Sequence, residues 1–218
     1  MGAETLVQSR PVARSTDDPI NDLLRSGARC SLGLFQNTPP GAPPPTDAPR
    51  TARFRRWMAV VAGPRLRESS RAQILGALPA FLARDAARDP DAQLQLLSLL
   101  DALYKKTGFQ NAYAEPTALA EALAGFIEDR GEEAPHALFV SDGRTLGVSL
   151  RQGCLLSSHP PPEIRPSAGL VASRPGHLPA SLWIWNAEAP ADPPRDAERL
   201  AEGIFTVQAA EPGIVTRL

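Results

Sequence analysis

A chain of 218 residues, 43% of them hydrophobic, is large enough to bury a core and short enough for one domain with a tail. Its net charge of -1 excludes a general polyanion binder, because no overall field would gather phosphates. Its two cysteines, Cys30 and Cys154, cannot build a disulfide framework and lack the CxxC spacing of a zinc site, so both are read as reduced thiols.

Arginine supplies 21 of the 23 basic residues, the mark of a GC-rich genome such as that of many bacteria and some large DNA viruses. The N-terminus lacks a basic region followed by an apolar one, and no stretch reaches the roughly 20 apolar residues of a membrane span. The expected location is the cytoplasm, or outside after export without a cleaved signal peptide, with no transmembrane segment. Gly2 could accept a myristoyl chain, but Leu6 stands where Ser or Thr is favoured, so the match is poor.

Residues 1–49 are expected to be a disordered, proline-rich interaction segment. The run Thr38-Pro39-Pro40-Gly41-Ala42-Pro43-Pro44-Pro45 removes backbone donors and fixes φ, which suits a polyproline linker. Residues 50–218 are expected to form a single α+β domain, helical over 51–131 and sheet-rich over 136–218.

Four helices are predicted in chain order. Phe54, Trp57, Met58 and Val61 recur at helical spacing within 51–62, and Gly63-Pro64 would end that helix. A second helix starts near Ser69 or Ser70, with Pro79 kinking or dividing it. The third follows Asp89-Pro90-Asp91, carries the stripe Leu96, Leu97, Leu100, Leu103, Tyr104, and ends at Lys105, Lys106 and Gly108. The fourth runs from Pro116 to Gly131 and buries Leu119, Leu123, Phe126 and Ile127.

Strands are predicted next. Residues 137–140 and 145–150 flank Ser141-Asp142-Gly143-Arg144, a hairpin signal because the turn needs positive φ. Residues 159–166 read as a proline-rich loop, Leu182–Trp185 as a strand, 194–202 as a short polar helix, and 204–207 and 214–215 as the last strands of a small, mostly antiparallel sheet. Helices first and strands later is the pattern of an α+β fold.

Chemistry is sparsely signalled. Cys30 or Cys154 with His136 as base, and Asp142 or Gln152 to orient the ring, would have the parts of a cysteine-dependent hydrolase or transferase. Against it, a nucleophile of that kind opens a buried helix, whereas prolines follow Cys30 within ten residues. Cys154, His159 and His177 are too few and too scattered for a metal site, and no nucleotide or cofactor motif occurs. Cys154 beside Leu155 and Leu156 reads as a small core residue.

The sharpest feature is electrostatic. Arg50, Arg53, Arg55, Arg56, Arg65, Arg67 and Arg71 crowd into 22 residues opposed by Glu68 alone, and Phe54, Trp57 and Met58 interleave with the first four. As a basic amphipathic helix, this segment would present Arg50, Arg53, Arg55, Arg56 and Trp57 to a partner. The expected function is that of a non-enzymatic interaction, regulatory or accessory protein without cofactor or metal. Its expected partner is another protein, with an anionic membrane surface as the second choice and nucleic acid disfavoured by the charge balance.

Overall fold

The computed structural model describes residues 49–84, 90–108, 113–158, 182–186, 198–208 and 211–217. The segment 1–48 with Cys30, the loop expected at 159–166, and both His159 and His177 lie outside the described residues. Strands β1 (Arg50–Phe54) and β2 (Trp57–Ala62) come first. Helices α1 (Glu68–Ala77), α2 (Ala80–Ala83), α3 (Pro90–Thr107) and α4 (Pro116–Arg130) follow, the last continuing into a 3-10 turn at Gly131–Glu133. Strands β3 (Ala137–Ser141), β4 (Thr145–Leu150), β5 (Cys154–Ser158), β6 (Leu182–Asn186), β7 (Glu198–Leu200), β8 (Gly203–Gln208) and β9 (Glu211–Arg217) complete the chain. The α+β class holds, with four helices among the described residues and antiparallel pairing at every described strand contact.

The strands form two sheets, one of six in the order β1-β2-β3-β4-β8-β9 and one of three in the order β6-β5-β7. Side chains alternate across a strand, and here both faces are covered at β2, β3 and β4. Ala59, Val61, Leu138 and Val140 join the core shared with the helices. Val60, Ala62, Ala137, Phe139, Val148 and Leu150 face the other way and pack with Leu155 of β5, flanked by Leu200 of β7. The result is three layers: helices, six-stranded sheet, three-stranded sheet.

The expected helix over 51–62 is a hairpin instead. Arg50 to Phe54 pair with Val61 to Trp57 in antiparallel register across a two-residue turn, Arg55-Arg56. The physical reason is the period. Ala52 and Phe54 are buried between exposed Thr51 and Arg53, and the run Ala59-Val60-Val61-Ala62 is buried on both faces, which one helical stripe cannot supply. The sequence concealed the turn because it has no glycine, and Arg55 takes up the positive φ of 54° itself.

The polar helix expected at 194–202 is also corrected, since 198–200 is strand β7, pairing Leu200 with Leu155. Leu200 packs on the inter-sheet core, and that burial outweighs the local polarity.

The other helices stand where predicted. Pro79 divides the second: α1 ends at Ala77, Leu78 is extended with ψ 138°, and α2 begins after Pro79. Helix α3 is buried on most sides, with Leu94, Leu96, Leu97, Leu99, Leu100 and Leu103 all at 1% exposure or less. Its Gln93 accepts from the Arg53 backbone N–H at 3.2 Å and donates to the Arg53 carbonyl at 3.0 Å, closing that part of the β1 edge. Helix α4 ends on Gly131 at φ 52°. No helix among the described residues is long and apolar enough to cross a membrane.

Close approach of α4 to the sheet depends on Gly147. A Cβ there would meet Leu123 Cδ1 at 2.8 Å and Leu119 Cδ2 at 2.9 Å. Gly147→Val therefore overpacks the interface, with an expected loss of about 2 kcal/mol in urea unfolding. Gly125→Ala, with nothing within 4 Å of its added carbon, is the control.

Candidate interaction site at the turn end of the sheet

Two turns meet at one end of the sheet. Strand β2 pairs with β3 so that Met58 lies opposite Ser141, which sets the Arg55-Arg56 turn beside the Asp142-Gly143-Arg144 turn. The segment before α4 arrives at the same place and is fixed there by Asp142, which is 3% exposed. Asp142 Oδ2 accepts from the Ala114 N–H at 2.8 Å, and Oδ1 accepts from the N–H groups of Arg144 at 2.9 Å and Thr145 at 2.8 Å. Thr145 Oγ1 donates to the Ala114 carbonyl at 2.9 Å, and Gly143 at φ 89° lets the turn close.

This clip holds Tyr113, 40% exposed, between the two turns. The Arg56 guanidinium carbon lies 5.2 Å from the ring centroid of Tyr113 and that of Arg144 lies 5.5 Å from it. Arg55 covers Phe54 at 5.4 Å, and Arg53 Nε donates to the Arg55 carbonyl at 3.3 Å. All four arginines are exposed. Among the described residues, no carboxylate forms an ion pair with Arg53, Arg55 or Arg144.

The rest of the arginine run is used elsewhere. Arg71 reaches Asp91 at 2.7 Å and Glu68 at 3.2 Å, Arg65 lies 3.9 Å from Asp91, and Arg67 lies 3.1 Å from Glu133. The hydrogen bond to Asp91 raises the pKa of Arg71, so its charge is fixed. Arg50 donates through Nη2 to the carbonyls of Gly63 at 3.0 Å and Pro64 at 3.2 Å, at the far end of β1. Trp57, 7% exposed, is part of the helix-side core. Of the five residues expected to bind, Arg53, Arg55 and Arg56 are exposed at the turn end, while Arg50 and Trp57 serve the fold.

Sequence reading missed Arg144 and Tyr113. Both flank turn or helix-start signals, but only the β2–β3 register puts them beside Arg56.

Of the residues of the hydrolase alternative, His136 and Asp142 are separated, whereas the Gln152 backbone lies beside His136. His136 and Asp142 stand at opposite ends of β3, about 20 Å apart at the rise of an extended strand. The His136 carbonyl accepts from the N–H groups of Arg151 at 2.8 Å and Gln152 at 3.1 Å, which tethers the chain after β4. Cys154 is 1% exposed, a packed thiol of β5. The Asp142 carboxylate is spent on backbone amides. The described residues hold no group of three or more His, Cys, Asp or Glu suited to a metal.

No family model and no curated protein matches the chain. Among solved structures it is similar to a glutamine aminotransferase class-II domain protein from Silicibacter pomeroyi. That likeness has 18% identity over 78% of this chain and 69% of the other, at a TM-score of 0.47, too distant to assign a function.

Two substitutions test the construction of this end. Asp142→Ala leaves three amides without their acceptor and is expected to cost about 3 kcal/mol in chemical unfolding. Arg55→Gly relieves the left-handed backbone and is expected to raise stability by up to about 1 kcal/mol. A loss of stability in Arg55→Gly would show that the Arg55–Phe54 contact outweighs the strain.

Proposed function

We propose that this protein is a non-enzymatic interaction module that docks an acidic surface of a partner protein against the turn end of its larger sheet. One observation supports this above the others. Arg53, Arg55, Arg56 and Arg144 are exposed around Tyr113 on a frame immobilised by Asp142. Arginine and tyrosine are the side chains that dominate binding energy in protein interfaces, since they combine planar polar contact with large apolar area. A frame already fixed by hydrogen bonds loses little further freedom on binding.

The patch is local in a chain whose net charge is -1. That favours a partner of matching size and shape over a long polyanion, which draws its affinity from many phosphate contacts. Screening beyond roughly 8 Å at physiological salt makes the attraction one of close approach.

The test is a titration of a glutamate-rich peptide into the full chain, with anionic vesicles and a DNA duplex as parallel arms. Arg53→Glu with Arg144→Glu is expected to weaken peptide binding at least about tenfold at unchanged melting temperature, and added salt is expected to weaken the wild type similarly. Tyr113→Ala is expected to weaken it less. Equal binding by wild type and charge-reversed protein would overturn the proposal. Binding to vesicles or duplex but not to peptide would replace the partner class.

A further inference from the structure

The sequence ahead of β1 holds a segment whose chemistry complements the arginine end. It reads Ser15-Thr16-Asp17-Asp18-Pro19-Ile20-Asn21-Asp22-Leu23-Leu24. Asp17, Asp18 and Asp22 give it three carboxylates and it has no basic residue, while Ile20, Leu23 and Leu24 give it apolar side chains. These three are most of the five acidic residues that precede Arg50, the others being Glu4 and Asp47. The negative charge of the N-terminal part is therefore concentrated in one short apolar run.

The arginine end has the opposite composition. Arg53, Arg55 and Arg144 are exposed, without a carboxylate ion pair among the described residues, and Tyr113 offers a ring 40% exposed. The other exposed aromatic surface, where Phe81 meets Tyr104 edge to face at 5.5 Å, lacks that charge match. Lys105 and Lys106, next to Tyr104, are already paired with Asp101 and Glu121. Reach is ample. Residues 25–49 separate Leu24 from Arg50 and can span up to about 85 Å when extended. The path along β1 from Arg50 to the Arg55 turn is about 17 Å at the rise of a strand.

We propose that residues 15–24 dock on the arginine end of their own chain and compete there with the partner. Asp17, Asp18 and Asp22 meet the exposed guanidiniums, and Ile20, Leu23 and Leu24 lie against Tyr113. This rests on the reading of that end as a docking surface and adds a means of regulating it. Tethering makes the contact intramolecular, with an effective concentration on the order of millimolar. Ion pairs between exposed charges are individually weak, so the segment lowers the apparent affinity of a partner and remains displaceable by it.

A nitroxide on the thiol introduced by Asn21→Cys, with Cys30→Ser, tests this in the isotope-labelled full chain. Amide signals of residues 53–57, 113–115 and 142–145 are expected to broaden. Combining Asp17→Asn, Asp18→Asn and Asp22→Asn is expected to abolish that broadening and, without the label, to tighten binding of a glutamate-rich peptide at least about threefold. Broadening centred on Phe81 and Tyr104, or unchanged by the three substitutions, would overturn the proposal, as would equal peptide affinity with and without them. Broadening seen only between nitroxide-bearing and isotope-labelled chains mixed together would overturn it in favour of a second copy as occupant. Broadening at the three segments in a chain that binds no peptide would uphold the contact and refute partner docking, so the two readings fail separately.

Discussion

Burial of both faces of the central strands β2, β3 and β4 is the constraint on which the rest of the structure depends. A strand covered on one side can alternate apolar and polar residues, but β2 and β3 must be apolar at nearly every position. The helices alone satisfy one face. The other face requires β5 and β7, and Phe139, Val148, Leu150 and Phe205 pack with Leu155 there. The same register that builds this double core aligns the two turns, so the arginine end is a geometric consequence of how the core is packed.

Polar side chains then fix what the apolar layers leave undetermined. Asp142 ties the β3–β4 turn to the start of α4, and Gln93 ties α3 to the outer edge of β1. Asp91, 2% exposed, draws in Arg71 and Arg65 and so anchors α1 to α3. Burying a carboxylate is tolerable in these places because donors meet it. These contacts also divide the arginine run into two groups. Arg65, Arg67 and Arg71 join the helical layer together, whereas Arg53, Arg55 and Arg56 stay at the surface beside Arg144.

Much of the fold could be read from local signals. Helices α3 and α4 were legible because leucine stripes, proline starts and glycine ends agree at each level. Pro79 was legible as a break because proline forces the preceding residue out of the helical region. The hairpin around Gly143 was legible because glycine marks positive φ. The β1–β2 hairpin was not, since Phe54, Trp57, Met58 and Val61 fit a helical stripe by coincidence and the turn is made by Arg55 without glycine. Strand β7 was hidden because three residues in a polar segment owe their conformation to pairing with β5, a long-range contact. The arginines of the candidate site were visible as a charge run, but their partition was not. Which of them meet Asp91 and Glu133, and which meet Tyr113, is decided by tertiary register.

The central claim is that the turn end of the larger sheet is the docking surface. Amide chemical-shift mapping of the isotope-labelled full chain, titrated with a glutamate-rich peptide, tests it most directly. The account predicts that the saturable shifts cluster at residues 53–57, 113–115 and 142–145, leaving β6 and the helical layer beyond α4's first turn unmoved. Shifts confined to any other surface, with those three segments silent, would contradict it.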